Sequence, residues 1–396
     1  MTRQIQEAYI CAAVRTPVGK APKGVFRTTR PDNLLTHCLK GLLKSQTNLD
    51  PQSISDVIIG CAMPEAEQGM NVARTSLLMA GLPASISGMT LNRMCASSLQ
   101  AISFAADKVR LSEAELVIAG GVESMSFIPM FGHRMSYNPT IFHDGNLALA
   151  YDMGVTAELV AHNWKISREA QDEFSLLSHK KALDAIENNE FASEILPYHV
   201  SHDLPGDEDI QEESYDVKDD EGPRKDTSFE ALSKLKTVFA KDGTVTAGNS
   251  SQMSDGASVL LVASEKAIKD FNLTPLAKFI GYSVCGVAPE TMGMGPKDAI
   301  PKVCEMTGLN IEDMDWIELN EAFASQTLAV IQDLEIDVKK INPLGGAIAL
   351  GHPLGATGAI RTTTLLHGLK RKKLKYGMVT MCVGSGMGAA CIFESL

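Results

Sequence analysis

The chain is poor in aromatic residues, which make up 6% of it with only two tryptophans, and it carries less base than acid. Its 36 lysines and arginines face 48 aspartates and glutamates, for a net charge of −12. That balance excludes a surface given over to nucleic acid, yet leaves room for a local basic patch around a phosphorylated ligand. Cysteines stand at 11, 38, 61, 95, 285, 304, 382 and 391. None forms a C-x-x-C pair and none has a histidine at zinc-ligand spacing, so no metal site is expected. Reduced thiols are the expected state. No apolar run approaches the length of a membrane span. The N-terminal MTRQIQEAYICAAVRTP has a short, strand-like apolar run where a signal peptide needs a longer one. Glu394-Ser395-Leu396 is only distantly like a peroxisomal S-K-L address. A cytoplasmic location is expected.

What is present suits a large globular protein: 396 residues, 44% hydrophobic and 21% charged, long enough for two or three domains. Up to about residue 122, short β-rich runs alternate with amphipathic stretches: AYICAAV then LLTHCLKGLLKS, DVIIGCAM then NVARTSLLMAGL, MTLNRM then a helical pattern, and ELVIAGG. This alternation points to α/β architecture with covered sheets. Residues 123–248 are looser, with scattered methionines and one long polar helical stretch in which Ser167 is the expected N-cap before Arg168. The acidic stretch 203–221 reads as a solvated face. From about 249 the α/β texture returns, and residues 249–273 are expected to complete the first unit before a second one over 274–396. The two ends share one strand–helix order, which suggests an internal duplication. In each, a turn bearing a reactive side chain leads into a helix rich in small residues.

Four stretches carry chemistry. In NRMCASS, Cys95 sits where a β-leaning run gives way to a helix, near unpaired N–H groups that favour a thiolate. Taken alone, it reads better as a small packing residue, since most cysteines are inert. In GGAIALGHPLGATGA, His352 is held between Gly351 and Pro353 on a turn, as a base would be, or as a buried histidine satisfied by backbone. In MVTMCVGSGMGAA, Cys382 ends an apolar strand beside Gly384. The GSGMG there is half of a dinucleotide fingerprint, but no βαβ unit follows it. In NEAF, Asn320 and Glu321 leave the strand WIEL as either a helix cap or site residues.

Together these stretches resemble the thiolase family. NRMCASS looks like its nucleophile motif, NEAF and GGAIALGHPLGATG match its later motifs almost letter for letter, and CVGSGMG is similar to its C-terminal cysteine motif. GGVESMS, MGVTAE, REAQDEF and VTAGNSSQMSDGA extend the resemblance over essentially the whole chain. One departure is Ser385, where many members carry glycine, and it bears on the shape of that turn.

The resemblance implies a duplicated thiolase fold, five-layered αβαβα, with an inserted loop domain. It implies an acyltransferase that cleaves 3-ketoacyl-CoA with CoA, as in fatty-acid β-oxidation, through an acyl-cysteine. Cys95 would be the nucleophile, His352 its base, and Cys382 the acid and base for the leaving enolate and incoming thiol. Backbone N–H groups of Cys95 and Gly384 would form one oxyanion hole, and His352 with a water held by Asn320 the other. Arg224 and Ser251 align with CoA contacts, and Met153 and Met292 with the pantetheine and acyl channel. CoA enters as co-substrate, with no bound cofactor and no metal. A homodimer or homotetramer is implied, with an enoyl-CoA hydratase/3-hydroxyacyl-CoA dehydrogenase as a further partner. Two other readings compete. One is an acetoacetyl-CoA thiolase working towards condensation, against which Asp152 argues mildly, since short-chain members often carry histidine there. The other is a thiolase-like acyl-CoA or lipid-binding protein without turnover. A decarboxylating ketoacyl synthase would need two histidines beside its cysteine.

Overall fold

A computed structural model describes residues 5–143, 145–205 and 209–396. Strands β1 (Tyr9–Arg15) and β2 (Gly19–Lys20) lead into α1 (Pro31–Ser45), then β3 (Asp56–Gly60), α2 (Val72–Met79), β4 (Ser87–Leu91), α3 (Ser97–Arg110) and β5 (Leu116–Ser124). The middle contributes α4 (Met153–Trp164), α5 (Arg168–Glu187), the hairpin β6 (Tyr198–Pro205) and β7 (Ile210–Val217), and the short α6 (Phe229–Ser233). There follow β8 (Ser254–Ala263), α7 (Glu265–Phe271), β9 (Ala277–Gly286), α8 (Gly295–Thr307) and β10 (Trp316–Leu319). Last come α9 (Ala324–Leu334), α10 (Ala347–Leu350), α11 (Thr357–Lys372), β11 (Tyr376–Val383) and β12 (Met387–Ser395).

The strands pair in the order β4-β3-β5-β8-β1 in one half and β10-β11-β12-β9 in the other. The halves meet where Tyr9 and Ile10 pair with Lys278 and Ala277. Their internal order is the same. β3 runs parallel to β4 and β5, with β8 and β1 antiparallel beyond. β10 runs parallel to β11, with β12 and β9 antiparallel beyond. Ile341 makes a parallel bridge to Ile317 of β10, where a counterpart of β4 would lie.

Alternate residues of these strands face different cores. Val57 and Ile59 pack with α1 and α2, whereas Ile58 joins a central cluster that also holds Leu99 of α3, Leu365 of α11, and Val379 and Phe393 of the other half. A third cluster unites Ile300 of α8 and Val330 of α9 with Met378 and Ile392. Helices thus cover both faces of each half, and α3 and α11 lie between them, giving five layers. Strands buried on both faces explain the uninterrupted apolar runs of DVIIG and LVIAGG.

Two expectations are corrected. The long polar helix is two helices, because Lys165 takes a left-handed conformation at φ 56 and ends α4. Ser167 then caps α5, its hydroxyl accepting the Ala170 N–H at 3.2 Å. The acidic stretch is exposed along most of its described residues, as expected, and departs from that reading near its end. Most of its described residues form the β6–β7 hairpin, and residues 206–208 lie outside the described ones, but Asp220 is buried. Arg15 holds it there at 2.7 and 3.0 Å, and a second carboxylate, Glu194, at 2.6 Å. A buried guanidinium must be compensated, and it draws these acids inside.

Candidate active site

The reactive turns come together because α3 and α11 start side by side. A Cβ on Gly358 would stand 2.5 Å from the Leu99 nitrogen, so only glycine permits this approach. Ser98 Oγ accepts the Ala359 N–H at 2.9 Å and ties the two helix starts together. These are equivalent places in the two halves, one carrying Cys95 and the other His352.

Short-range bonds shape the Cys95 turn. Met94 sits at φ 45, its N–H donating to Asn92 Oδ1 at 2.7 Å. Ser97 Oγ donates to the Met94 carbonyl at 2.6 Å and accepts the Arg93 N–H at 2.9 Å. Cys95 is partly exposed to the cavity, and its sulfur meets the backbone N–H groups of Gly384 and of Cys95 itself. The expectation of a depressed thiol pKa is corrected here. Desolvation outweighs the two N–H groups, nearby Glu123 adds to it, and the thiol is pushed up to about 11.

His352 is 5% exposed. Its backbone N–H donates to the Gln252 carbonyl and to Ser254 Oγ, each at 3.1 Å. Its Nδ1 lies 2.7 Å from Thr357 Oγ1, and that hydroxyl donates to the Pro353 carbonyl at 3.1 Å. With the hydroxyl proton directed to that carbonyl, Nδ1 carries the ring proton and Nε2 presents its lone pair as an acceptor. Asn320 Nδ2 stands 3.4 Å from that Nε2. Burial, helped by the Arg361 charge, pushes the imidazole down to about 3. Asn320 is buried and its Oδ1 has no partner among the described residues.

Cys382 is also buried, and desolvation followed by proximity to Cys95 raises its pKa above the ordinary thiol range. Cys95, His352, Cys382 and Gly384 line one cavity of about 730 Å³, together with Met153, Met292 and Ser251. Its remaining wall is mostly apolar, including Met63, Met125, Met130 and Phe239. Arg224 is not in it. A second cavity of about 310 Å³ holds Arg224 with His179, and shares Lys20, Ala247 and Gln252 with the first. Ser385, at φ 65, reaches the lip of the main cavity in the left-handed region that glycine favours.

One residue that the sequence left open between cap and site, and several that it passed over, shape the site. Glu321 is buried and accepts from Ser178 Oγ at 2.7 Å, Asn342 Nδ2 at 2.8 Å and the Ile348 N–H at 3.2 Å. It ties α5 and α10 to the end of β10 beside Asn320. Glu123 accepts from the N–H groups of Ala62, Gly355 and Met63 at 2.7, 2.8 and 3.2 Å, and from the Gln68 amide. Thr357 and Gln252 were passed over because hydroxyls and amides carry no local signal of what they hold. Among the described residues no group of three or more His, Cys, Asp and Glu could hold a metal ion. Nor is any helix among them long and apolar enough to cross a membrane.

Comparison with known proteins places the chain. The model of the thiolase N-terminal domain matches residues 8–266, and that of the thiolase C-terminal domain residues 273–395. The 3-ketoacyl-CoA thiolase of Bacillus subtilis is 46% identical, covering 98% of this chain and 100% of that protein. That of Vibrio parahaemolyticus is 42% identical over the full length of both. Human mitochondrial 3-ketoacyl-CoA thiolase superposes with a TM-score of 0.88 at 36% identity, over 99% of each chain. The acetyl-CoA acetyltransferase of Bacillus anthracis superposes equally well, with a TM-score of 0.88 at 38% identity over 100% of both. With both halves matched and relatives alike from end to end, this chain belongs to the thiolase family.

Proposed function

We propose that the protein is a 3-ketoacyl-CoA thiolase, cleaving a 3-ketoacyl-CoA with CoA into acetyl-CoA and an acyl-CoA two carbons shorter. The observation that carries this is the meeting of two cysteines, a neutral histidine and the Gly384 N–H on one apolar cavity. Cys95 sulfur attacks the ketone carbon while its proton passes to His352 Nε2. The oxygen takes the negative charge, held by the N–H groups of Cys95 and Gly384, each such donor being worth about 3–4 kcal/mol. The bond between C2 and C3 breaks, leaving acyl-Cys95 and an acetyl-CoA enolate. His352 and a water on Asn320 Oδ1 hold the enolate oxygen, and Cys382 gives its proton to the carbon. Cys382, now a thiolate, takes the proton of the incoming CoA thiol. That sulfur displaces Cys95, which recovers its proton from His352.

CoA lies with its phosphates near Arg224 and Lys20 and its pantetheine along Ser251, Met153 and Met292. What supports this is that the cationic cavity adjoins the apolar one. The condensing reaction uses the same steps in reverse, and the likeness to an acetyl-CoA acetyltransferase is compatible with it. The degradative reading is favoured by the thiolase relatives and by a methionine-rich wall that adapts to varied acyl chains. The protein works as a homodimer or homotetramer. Support comes from exposed Met70, Leu78, Met79, Met89 and Phe104 on or beside α2, edge strand β4 and α3.

The test is CoA-dependent cleavage of 3-ketoacyl-CoA substrates from acetoacetyl-CoA upward in chain length. Cleavage extending to longer chains is expected. Activity confined to acetoacetyl-CoA would favour the condensing enzyme, and none on any chain would make this a binding protein.

A further inference from the structure

Arg361 lies one turn into α11 beyond Thr357 and is 3% exposed. One arm of its guanidinium, Nη2, donates to the Gly351 carbonyl at 3.3 Å. Gly351 stands at φ 91 and immediately precedes His352. The other arm, Nη1, faces Glu318 Oε2 at 3.8 Å. Glu318 is buried on β10, two residues before Asn320, with its Oε1 accepting the Trp316 indole N–H at 2.7 Å. One side chain therefore spans the two pieces of backbone that fix His352 Nε2, the loop that carries the ring and the strand that carries its Asn320 neighbour.

The pair is poorly made as a stabilising ion pair. Glu318 Oε2 and Arg361 Nε have no hydrogen-bond partner among the described residues. Buried charges held so loosely return little stability for their desolvation, and an apolar pair of similar size would serve a core as well or better. The contact to Gly351 gives the charge another use. We propose that Arg361, braced by Glu318, is a positioning residue that sets His352 against Cys95 for the acylation step. This rests on the reading of His352 as the base. Arg361 faces Glu318 from β10, and Glu318 in turn feels Glu194, Glu321 and Lys181. Around His352 stand Asn320, Thr357 and, across the cavity, Cys95 and Cys382. Burial keeps the ring neutral, and the positive charge of Arg361 acts in the same direction.

The test compares Arg361→Met, Arg361→Lys and His352→Asn with the unaltered enzyme, reading kcat, KM and the rate of Cys95 acylation. Loss of the Gly351 contact misplaces the base, so Arg361→Met is expected to lower kcat and acylation by about 10²-fold with KM within about twofold. Arg361→Lys, able to reach Gly351 or Glu318 but not both, should fall between. A merely structural arginine would instead lower the melting temperature and the amount of active enzyme, with kcat per active site unchanged. That result overturns the proposal. Should Arg361→Met not fold, Arg361→Lys decides alone: lowered kcat at constant KM supports the proposal, and unaltered kcat overturns it. Full activity in His352→Asn would instead remove the reading of the base on which the proposal rests.

Discussion

Before substrate arrives, Cys95 and His352 should form a neutral thiol–imidazole pair rather than a thiolate–imidazolium one. Desolvation pushes the thiol up to about 11 and the imidazole down to about 3. Moving the proton from sulfur to nitrogen thus crosses about eight units, on the order of 11 kcal/mol at 1.36 kcal/mol per unit. Two new charges ~4 Å apart would recover only about 4 kcal/mol at an effective dielectric of ~20. The ion pair stays uphill by roughly 7 kcal/mol, a population near one in 10⁵ at a factor of ten per 1.4 kcal/mol. The perturbation is pH, and the assay is alkylation of Cys95 by iodoacetamide, with Cys95→Ser as the blank. The sign follows from the two shifts. His352 is already neutral well above about 3, so no step is expected near the ordinary histidine value. Cys95 becomes more reactive as pH rises towards about 11. The rate should therefore climb about tenfold per unit from pH ~6 to ~9 without a plateau. A plateau in that range, or ultraviolet thiolate absorbance lost in Cys95→Ser, would refute the reasoning.

Other substitutions probe the surrounding parts. Cys382→Ser should permit acylation of Cys95 yet slow turnover by about 10²–10⁴-fold, seen as a burst followed by slow release. Glu123→Gln turns an amide against five donors that now meet a carboxylate; thermal unfolding should show a loss of about 1–3 kcal/mol. Gly388→Ala places a Cβ 2.0 Å from the Gly295 carbonyl oxygen, backbone against backbone. It should cost about 1–3 kcal/mol or more in the same assay. Arg224→Met should raise KM for CoA several-fold, about 1 kcal/mol of uniform binding, with kcat little changed.

Much of the fold was legible because strands covered on both faces leave unbroken apolar runs, and because small residues mark where helices approach closely. The break between α4 and α5 was not, since Lys165 is an ordinary helix former whose left-handed turn is imposed by its surroundings. Nor was the burial of Asp220, whose partner Arg15 lies 205 residues away in sequence. At the site, Cys95, His352 and Cys382 were visible as residues on turns at the ends of elements, but only the resemblance of their motifs to the thiolase family gave them roles. Glu321 could not be told from a helix cap, because its role depends on Ser178 and Asn342, reached only through the folded chain. The sign of the Cys95 shift was missed for a related reason. A helix start can be read locally, whereas desolvation depends on what the whole chain packs around the sulfur.

The central claim is that Cys95 carries the acyl group, and intact-protein mass spectrometry tests it most directly. Mixed with a 3-ketoacyl-CoA in the absence of free CoA, the protein should gain the mass of the shortened acyl group on the peptide containing Cys95. Added CoA should remove it, and Cys95→Ser should never acquire it. Turnover with no adduct at Cys95, or an adduct that persists in Cys95→Ser, would contradict the account.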